Sequence, residues 1–339
     1  MKVLIIGVGN LAAGAVQAIE AMNDGDGDYF SFVPNLSWEK VEIVGAVDVD
    51  KKKVGQKLKD ALFAPPNVAS KFREVKVDVT VEPGVVKDDL GFLEPVIDPV
   101  TVSEEKFEDY IETLKPDLIL LSTPSNMNKS NTFYAEVAAR NGISLINTTP
   151  TPVAKEMGNK FGEKGTFVLG DDLLSQIGGT VFHEGLIEFL ESRGVKVVRS
   201  YQVDIAGTTE ALVTIQDDVK DVKKGIKSSF IRSRKDVEVV AGTSDYVQFL
   251  KDRRVSYIVI EGYYGAGAKV RVDVSLKTYD SQNAIVPVLD LLKVSARLKA
   301  KGTKGNVPEV SGFYFKSPPV TFKSLEEARK ALEDFVKSL

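Results

Sequence analysis

The residues able to do chemistry in this chain are few in kind. There is no cysteine and a single histidine, His183. Disulfides, thiolate nucleophiles, iron–sulfur clusters and cysteine zinc sites are excluded, as is any site needing two imidazoles. Chemistry must run on lysines, carboxylates, hydroxyls or a bound cofactor. Lys223 and Lys227 stand four apart in a basic stretch over residues 220–235. On a helix both ammoniums share a face and repel unless an anion such as a phosphate sits between them; the plainer alternative is a solvated charged face. Lys316 lies in Tyr314-Phe315-Lys316-Ser317-Pro318-Pro319. Partial burial there would lower its pKa toward base duty; the alternative is a structural lysine whose stem snorkels. Asp171-Asp172 follow a strand and a glycine, and fit either a cofactor or cation contact or a helix cap. Asp280 opens Asp280-Ser281-Gln282-Asn283, which reads as a cap before a long helix as readily as a functional group. His183, alone in a predicted helix, reads as structural.

A second set fits a nucleotide. Residues 3–6 are a short apolar run entering Gly7-Val8-Gly9-Asn10-Leu11-Ala12, and residues 11–22 continue as an Ala-rich helix. In the order strand, glycine turn, helix, this G-x-G-x-x-A pattern is a dinucleotide fingerprint. Gly7 allows the tight turn, Gly9 admits a pyrophosphate, and Ala12 lets helix and sheet approach. The helix start, with Asn10 and Leu11, offers free N–H groups to the phosphates. Residues 41–47 read as a strand ending in Asp48, whose carboxylate suits the adenosine ribose hydroxyls and repels a 2′-phosphate, favouring NAD over NADP. The separation from the glycines is about twice the usual ~20 residues, and a polar insertion over 23–38 accounts for the excess. Ser122-Thr123 and Asn147-Thr148 follow strands at 117–121 and 144–147, where small polar residues border a cofactor crevice.

A frame must position these groups. The chain has 339 residues, 43% apolar and 27% charged, which is ordinary globular composition for about two domains at roughly 150 residues each. Lysine and arginine, 44 together, face 48 acidic residues for a net charge of −4, which argues against a general nucleic-acid binder. No apolar run predicts a membrane span, and the N-terminal run lacks a signal cleavage site, so a cytoplasmic location is expected. The first half alternates strands with helices, among them 51–62 and 132–141, and predicts an α/β, Rossmann-type doubly wound parallel sheet. Residues 67–112 are not placed. After residue 165 come a strand at 166–169, a helix at 179–192, and strands at 197–205, 237–240, 256–261 and 268–276. The last two are joined by a glycine-rich hairpin loop. Strands in succession predict an inserted, mostly antiparallel α+β domain over 171–284. The Rossmann domain is then built from 1–170 and 285–339, with helices at 284–299 and 325–336.

Several stretches, taken in order, are more specific than the glycine motif. They are Gly7-Val8-Gly9-Asn10, Asp48-Val49-Asp50 with Lys53-Val54-Gly55, Phe133-Tyr134-Ala135, Gly170-Asp171-Asp172 with Ser175-Gln176, Asp280-Ser281, and Lys316-Ser317-Pro318. Through them the chain resembles the myo-inositol-1-phosphate synthase family, in its short archaeal and actinobacterial form, over nearly its whole length. The resemblance implies an isomerase that keeps NAD through a full cycle and converts D-glucose 6-phosphate to inositol 1-phosphate (1D-myo-inositol 3-phosphate). C5 is oxidised, a C6 proton leaves, the enolate carbon attacks the C1 aldehyde, and C5 is reduced again. It implies that Lys223 and Lys227 are the paired active-site lysines, that Lys316 is the lysine of the late Lys-Ser-Pro motif, and that Asp280 lies near nicotinamide and substrate. Asp171, Asp172 and Ser175 fall on the cofactor-contacting turn. A central domain that covers the nicotinamide and carries a homotetramer is implied too; whether a divalent or monovalent cation takes part is left open. Lysines suit such chemistry, since ammoniums stabilise both a phosphate dianion and a developing enolate.

Three departures stand out. Leu174 occupies a place where the family has lysine. Arg254 occupies another active-site lysine position, and a guanidinium can hold an oxyanion but cannot give up its proton. Thr208-Thr209-Glu210 replaces an Asn-containing turn near the nicotinamide that ends in Asp. Two further readings therefore stand beside the synthase: an NAD-dependent oxidoreductase with net hydride transfer on another sugar phosphate, and a non-catalytic NAD-binding paralogue.

Overall fold

A computed structural model describes the backbone over residues 1–339, and all side chains except those of Phe92, Asp217, Asp218, Val219, Lys220, Val222 and Lys223. The first half runs β1 (Lys2–Ile6), α1 (Asn10–Asp24), β2 (Glu42–Asp48), α2 (Leu58–Ala61), β3 (Val81–Pro83), α3 (Glu104–Leu114), β4 (Leu118–Leu121), α4 (Asn128–Arg140), β5 (Ser144–Asn147), α5 (Val153–Glu163) and β6 (Phe167–Leu169). Then follow α6 (Gly179–Ser192), β7 (Val195–Ala206), α7 (Thr209–Thr214), α8 (Asp217–Arg232), β8 (Glu238–Tyr246), β9 (Arg253–Tyr264) and β10 (Ala268–Tyr279). The chain closes with α9 (Asp280–Asn283), α10 (Ile285–Ala300), β11 (Gly305–Asn306), α11 (Pro308–Tyr314) and α12 (Leu325–Lys337).

Seven strands form a parallel sheet in the order β11-β6-β5-β4-β1-β2-β3. Its strands are short and almost wholly apolar because helices cover both faces. Val3 and Ile5 of β1 pack in one layer with α1, α10 and α12, while Leu4 and Ile6 pack in the other with α3, α4 and α5. The predicted doubly wound sheet is thus present. The predicted helix over 51–62 is not: only Leu58–Ala61 is helical. Gly55 sits at φ +80° and donates its N–H to Val81, so the chain turns before it can wind.

The second sheet has the order β10-β9-β7-β8. The β9–β10 and β7–β9 pairs are antiparallel, as the hairpin loop predicts. The β7–β8 pair is parallel, because α7 and α8 lie between these strands and carry the chain back across the sheet. Helices α6 and α8 cover one face, burying Ile187, Phe230 and Ile231 against Val197, Val239, Ile258 and Ile260. A register shift after Val197 leaves Ser200, Gln202 and Asp204 on the covered side of β7, all buried.

One buried ion pair ties these layers together. Arg234 Nη1 lies 3.4 Å from Glu184, with side-chain exposures of 1% and 0%. Its guanidinium also donates to the Phe322 carbonyl and stacks 4.1 Å from the Phe230 ring centre. Burial pushes Glu184 up to about 8 despite Arg234. Arg234→Ala is expected to cost about 3–5 kcal/mol once Glu184 is ionised, because it strands a buried carboxylate. Well below about pH 8 Glu184 keeps its proton in both folded proteins, so the loss should be smaller and nearly flat there. It should grow as pH rises from about 7 to about 9, where the wild type ionises Glu184 beside Arg234 and the variant resists doing so. Urea titrations across that range check both size and sign.

Candidate active site

A cavity of ≈ 350 Å³ is lined by Gly7, Asp48, Ser122 and Thr148 at the C-terminal ends of parallel strands, and by Thr208, Lys227, Thr243 and Arg254 from the second sheet and its helices. A larger groove of ≈ 730 Å³ lies at the opposite end of the parallel sheet, among Asp117, Ser144, Thr166 and Lys299. It holds none of the residues singled out above.

The nucleotide end is built by β1, α1 and β2. Gly7 adopts φ +95°, and a Cβ there would stand 2.6 Å from the Ser122 carbonyl oxygen. A Cβ on Gly9 would meet nothing within 4 Å, so this backbone faces open space at the start of the 15-residue helix α1. That is the room and the dipole end a pyrophosphate needs. Asn10 lines the same cavity, while its Oδ1 accepts from the N–H groups of Val68 and Ala69. Asp48 is heavily engaged. Oδ1 accepts from the Val49 and Asp50 N–H groups at 2.8 and 2.9 Å, while Oδ2 accepts from Val8 N at 2.8 Å and lies 3.5 Å from the Lys53 ammonium. Lys53, itself buried, also donates to the Val8 carbonyl. The carboxylate therefore braces the glycine turn from below.

Leu11, Thr123 and Ser175 also line the cavity. Ser122 Oγ donates to Gly7 O, and Thr148 Oγ1 to Leu121 O. Glu210 lines it too and accepts from the Ser125 hydroxyl and N–H. Asn147 and Asp171 are fully buried beside it instead. Asn147 Nδ2 donates to Asp171 Oδ1, and that carboxylate accepts from the Ala154 and Lys155 N–H groups at the start of α5. Asp171 thus caps a helix that precedes it in the chain, and burial pushes it up to about 7.

The charged end is made of paired ions from distant segments. Lys316 Nζ lies 2.8 Å from Asp172 Oδ1. Lys227, on α8, lies 2.6 Å from Asp204 Oδ2. Arg254, on β9, grips Asp280 with two bonds of 2.5 and 2.9 Å and reaches Asp204 at 3.4 Å. Asp280 is therefore not a cap: Tyr279 takes that position before α9, and the carboxylate turns to the guanidinium. Burial opposes the charge on Arg254, but Asp280 and Asp204 outweigh it and hold the guanidinium above its ordinary range. Burial likewise opposes Asp204, yet Lys227 and Arg254 hold it well below the usual carboxylate range. Burial, joined by the charges of Arg254 and Lys316 and only partly offset by Asp204, keeps Lys227 below the ordinary lysine range. The side chain of Lys223 lies outside the described residues.

Asp204 was not among the predicted residues. Its trace in the sequence is faint: Ser200, Gln202 and Asp204 alternate with Tyr201, Val203 and Ile205, which marks a polar stripe on one face of the strand. Leu174 is buried, packed with the core of the second sheet, so its aliphatic side chain fits its surroundings.

Comparison with known proteins agrees with this geometry. Residues 178–281, which carry Lys227, Arg254 and Asp280, match the family described as myo-inositol-1-phosphate synthase. The inositol-3-phosphate synthase of Mycolicibacterium smegmatis is 30% identical over 360 residues, covering 99% of this chain and 98% of the relative. That of Corynebacterium glutamicum is 30% identical with the same coverage. A solved myo-inositol-1-phosphate synthase-related protein from Thermotoga maritima shares the fold, with a TM-score of 0.82 at 21% identity over 99% of this chain and 98% of that one. A likeness that runs end to end, and includes the strands and helices holding the ion pairs, means that the chain belongs to the inositol-3-phosphate synthase family.

Proposed function

We propose that the protein is an NAD-dependent isomerase that converts D-glucose 6-phosphate to 1D-myo-inositol 3-phosphate. The observation that carries this reading is the convergence of Lys227, Arg254 and Lys316 on the cavity that also opens on the glycine turn. NAD, when bound, supplies the reversible hydride acceptor that a redox-neutral ring closure needs. Gly7, Gly9 and the start of α1 would hold its phosphates, Asp48 and Lys53 would back its adenosine end, and Ser122, Thr123, Thr148, Asp172, Ser175 and Glu210 would border the rest. Lys227 and Lys316 would take the substrate phosphate or the developing oxyanion, and Lys227, held below the ordinary lysine range, would move a proton more readily than an exposed lysine. Arg254 keeps its proton and acts as a fixed charge. Asp280 holds the Arg254 fork toward the cavity.

The same proposal covers the partition into a Rossmann domain, 1–170 with 285–339, and a central domain, 171–284. It includes assembly as a homotetramer in the cytoplasm. Tyr201 opposes Val240, and Val203 pairs with Tyr257 and stands two residues along the strand; all four are exposed on the face of the second sheet turned from α6 and α8. Covering them with further copies of the chain would bury an apolar patch of the kind that marks an interface. Among the described residues no helix is long and apolar enough to cross a membrane, and no group of three or more His, Asp or Glu could hold a metal ion, so no residues are assigned to a cation.

The test is incubation with glucose 6-phosphate and catalytic NAD. Inositol phosphate should accumulate without a lasting rise in NADH absorbance. Lasting NADH would mean a dehydrogenase, and neither product would mean a binding protein. A narrower check falls on the glycine turn. Gly7→Val is expected to cost about 2–4 kcal/mol through strain and crowding against Ser122, and to weaken NAD binding at least about tenfold.

A further inference from the structure

A buried polar chain in the second sheet ends at Asp204. Ser200, Gln202 and Asp204 lie on β7, and His183 meets them from α6; all are buried. Ser200 Oγ donates to the Val259 carbonyl at 2.6 Å and also contacts His183 Nε2. His183 Nδ1 lies 3.2 Å from Gln202 Oε1, and Gln202 Nε2 donates to Asp204 Oδ1 at 2.8 Å. These four contacts need four hydrogens. Ser200 brings one, neutral imidazole brings one, and Gln202 brings one to whichever neighbour its nitrogen faces. The chain is one hydrogen short. Because Ser200 donates to the carbonyl, His183 must donate from Nε2. Its bare Nδ1 then faces the Gln202 oxygen, across the longest separation of the chain. Burial pushes His183 down to about 4, so the imidazole does not fill the gap near neutrality.

One proton on Asp204 Oδ1 would fill it. Gln202 would reverse its amide, accepting from the new Asp204 hydroxyl and donating to His183 Nδ1. Oδ2 would still accept from Lys227. Binding of a phosphate supplies the reason for that proton. Lys227, Arg254 and Lys316 are each already paired with a carboxylate. A dianion drawn to Lys227 must share it with Asp204, and two anions on one buried ammonium repel.

We propose that Asp204, Gln202 and His183 form a proton-uptake relay, in which binding of a sugar-phosphate dianion beside Lys227 is coupled to protonation of Asp204 and reversal of the Gln202 amide. The proposal rests on the substrate reading above. The proton comes from solvent on binding and returns on release, and nothing is oxidised or reduced. The groups facing the relay are Lys227 from α8, Arg254 and the Ser256 hydroxyl from β9 with Asp280 behind the guanidinium, and Lys316 beside Lys227. In the free protein they hold Asp204 ionised against its burial, so the proton enters only as the dianion draws Lys227 partly away. On α6 itself Glu184 turns to Arg234.

The test is calorimetric titration of enzyme loaded with NADH, which cannot oxidise the ligand, with glucitol 6-phosphate at pH 8 in buffers of different ionisation enthalpy. At that pH the ester is already a dianion, its second pKa being about 6. The wild type is expected to take up at least about half a proton per site. Asp204→Asn should take up none and bind at least as tightly, having lost the repelling carboxylate. His183→Phe should bind more weakly and take up less than half as much as the wild type; Gln202→Met replaces it should that variant not fold. Binding by the wild type without uptake, or uptake that survives Asp204→Asn, overturns the relay and leaves the substrate reading standing. No binding at all overturns that reading, and the relay with it.

Discussion

Lys227→Ala is expected to lower kcat about a thousandfold or more while leaving NAD affinity within about threefold. The ammonium is buried against Asp204 with Arg254 and Lys316 near, and this setting holds it below the ordinary lysine range. A lysine so placed can give and take protons at a pH where an exposed one cannot, and deleting it removes both proton carrier and local charge. The fold should survive the change, because Asp204 retains Arg254 at 3.4 Å and Gln202 at 2.8 Å and is not left buried alone. NAD binding should survive because the glycine turn lies on β1 and α1. Single-turnover formation of inositol phosphate, alongside NAD titration, separates the two effects. Lys227→Arg divides the role further, for it restores charge but no mobile proton. If the arginine variant comes within tenfold of the wild type, Lys227 works by charge alone. If the alanine variant itself comes within tenfold, Lys227 does not touch the reacting atoms.

How much of this was legible beforehand depends on the kind of signal. The parallel sheet was, because strands buried on both faces must be short and apolar, and residues 3–6, 117–121 and 144–147 say so without ambiguity. The glycine turn was legible for a steric reason: only glycine fits φ +95° against the Ser122 carbonyl. Residues 67–112 were not, because they contain little regular structure; β3 has three residues, and α3 begins only at Glu104. Their backbone groups are met by side chains far away in sequence, such as Gln17 to Phe72 and Glu20 to Lys76, and no local pattern announces such pairings. The adjacent pair Asp171-Asp172 shows the same limit. The two look equivalent in sequence, yet one caps α5 in the interior and the other faces Lys316 across the cavity. Asp204 was hidden for a related reason. Its meaning depends on which face of β7 the helices cover, and the register shift after Val197 decides that.

Lys316→Ala should also reduce kcat/KM about a thousandfold, and it carries a second signature that Lys227 variants cannot show. The backbone around it is held independently of its side chain: Lys316 N donates to the Asp172 carbonyl at 2.8 Å, Ser317 N donates to the Asp171 carbonyl at 3.0 Å, and Phe315 bridges to Leu173. Truncation therefore removes an ammonium without moving the turn. That ammonium is one of the charges that keep Lys227 below its ordinary range. With it gone, Lys227 holds its proton more tightly, and the acid limb of the residual kcat/KM profile should move to higher pH. A structural lysine lost from the same place would lower activity at every pH and leave the limb where it stood. NAD affinity should again stay within about threefold, since the nucleotide end is built from other segments. A profile displaced toward lower pH, or one that does not move at all, would separate Lys316 from Lys227 and take with it the claim that the two ammoniums work on one bound anion.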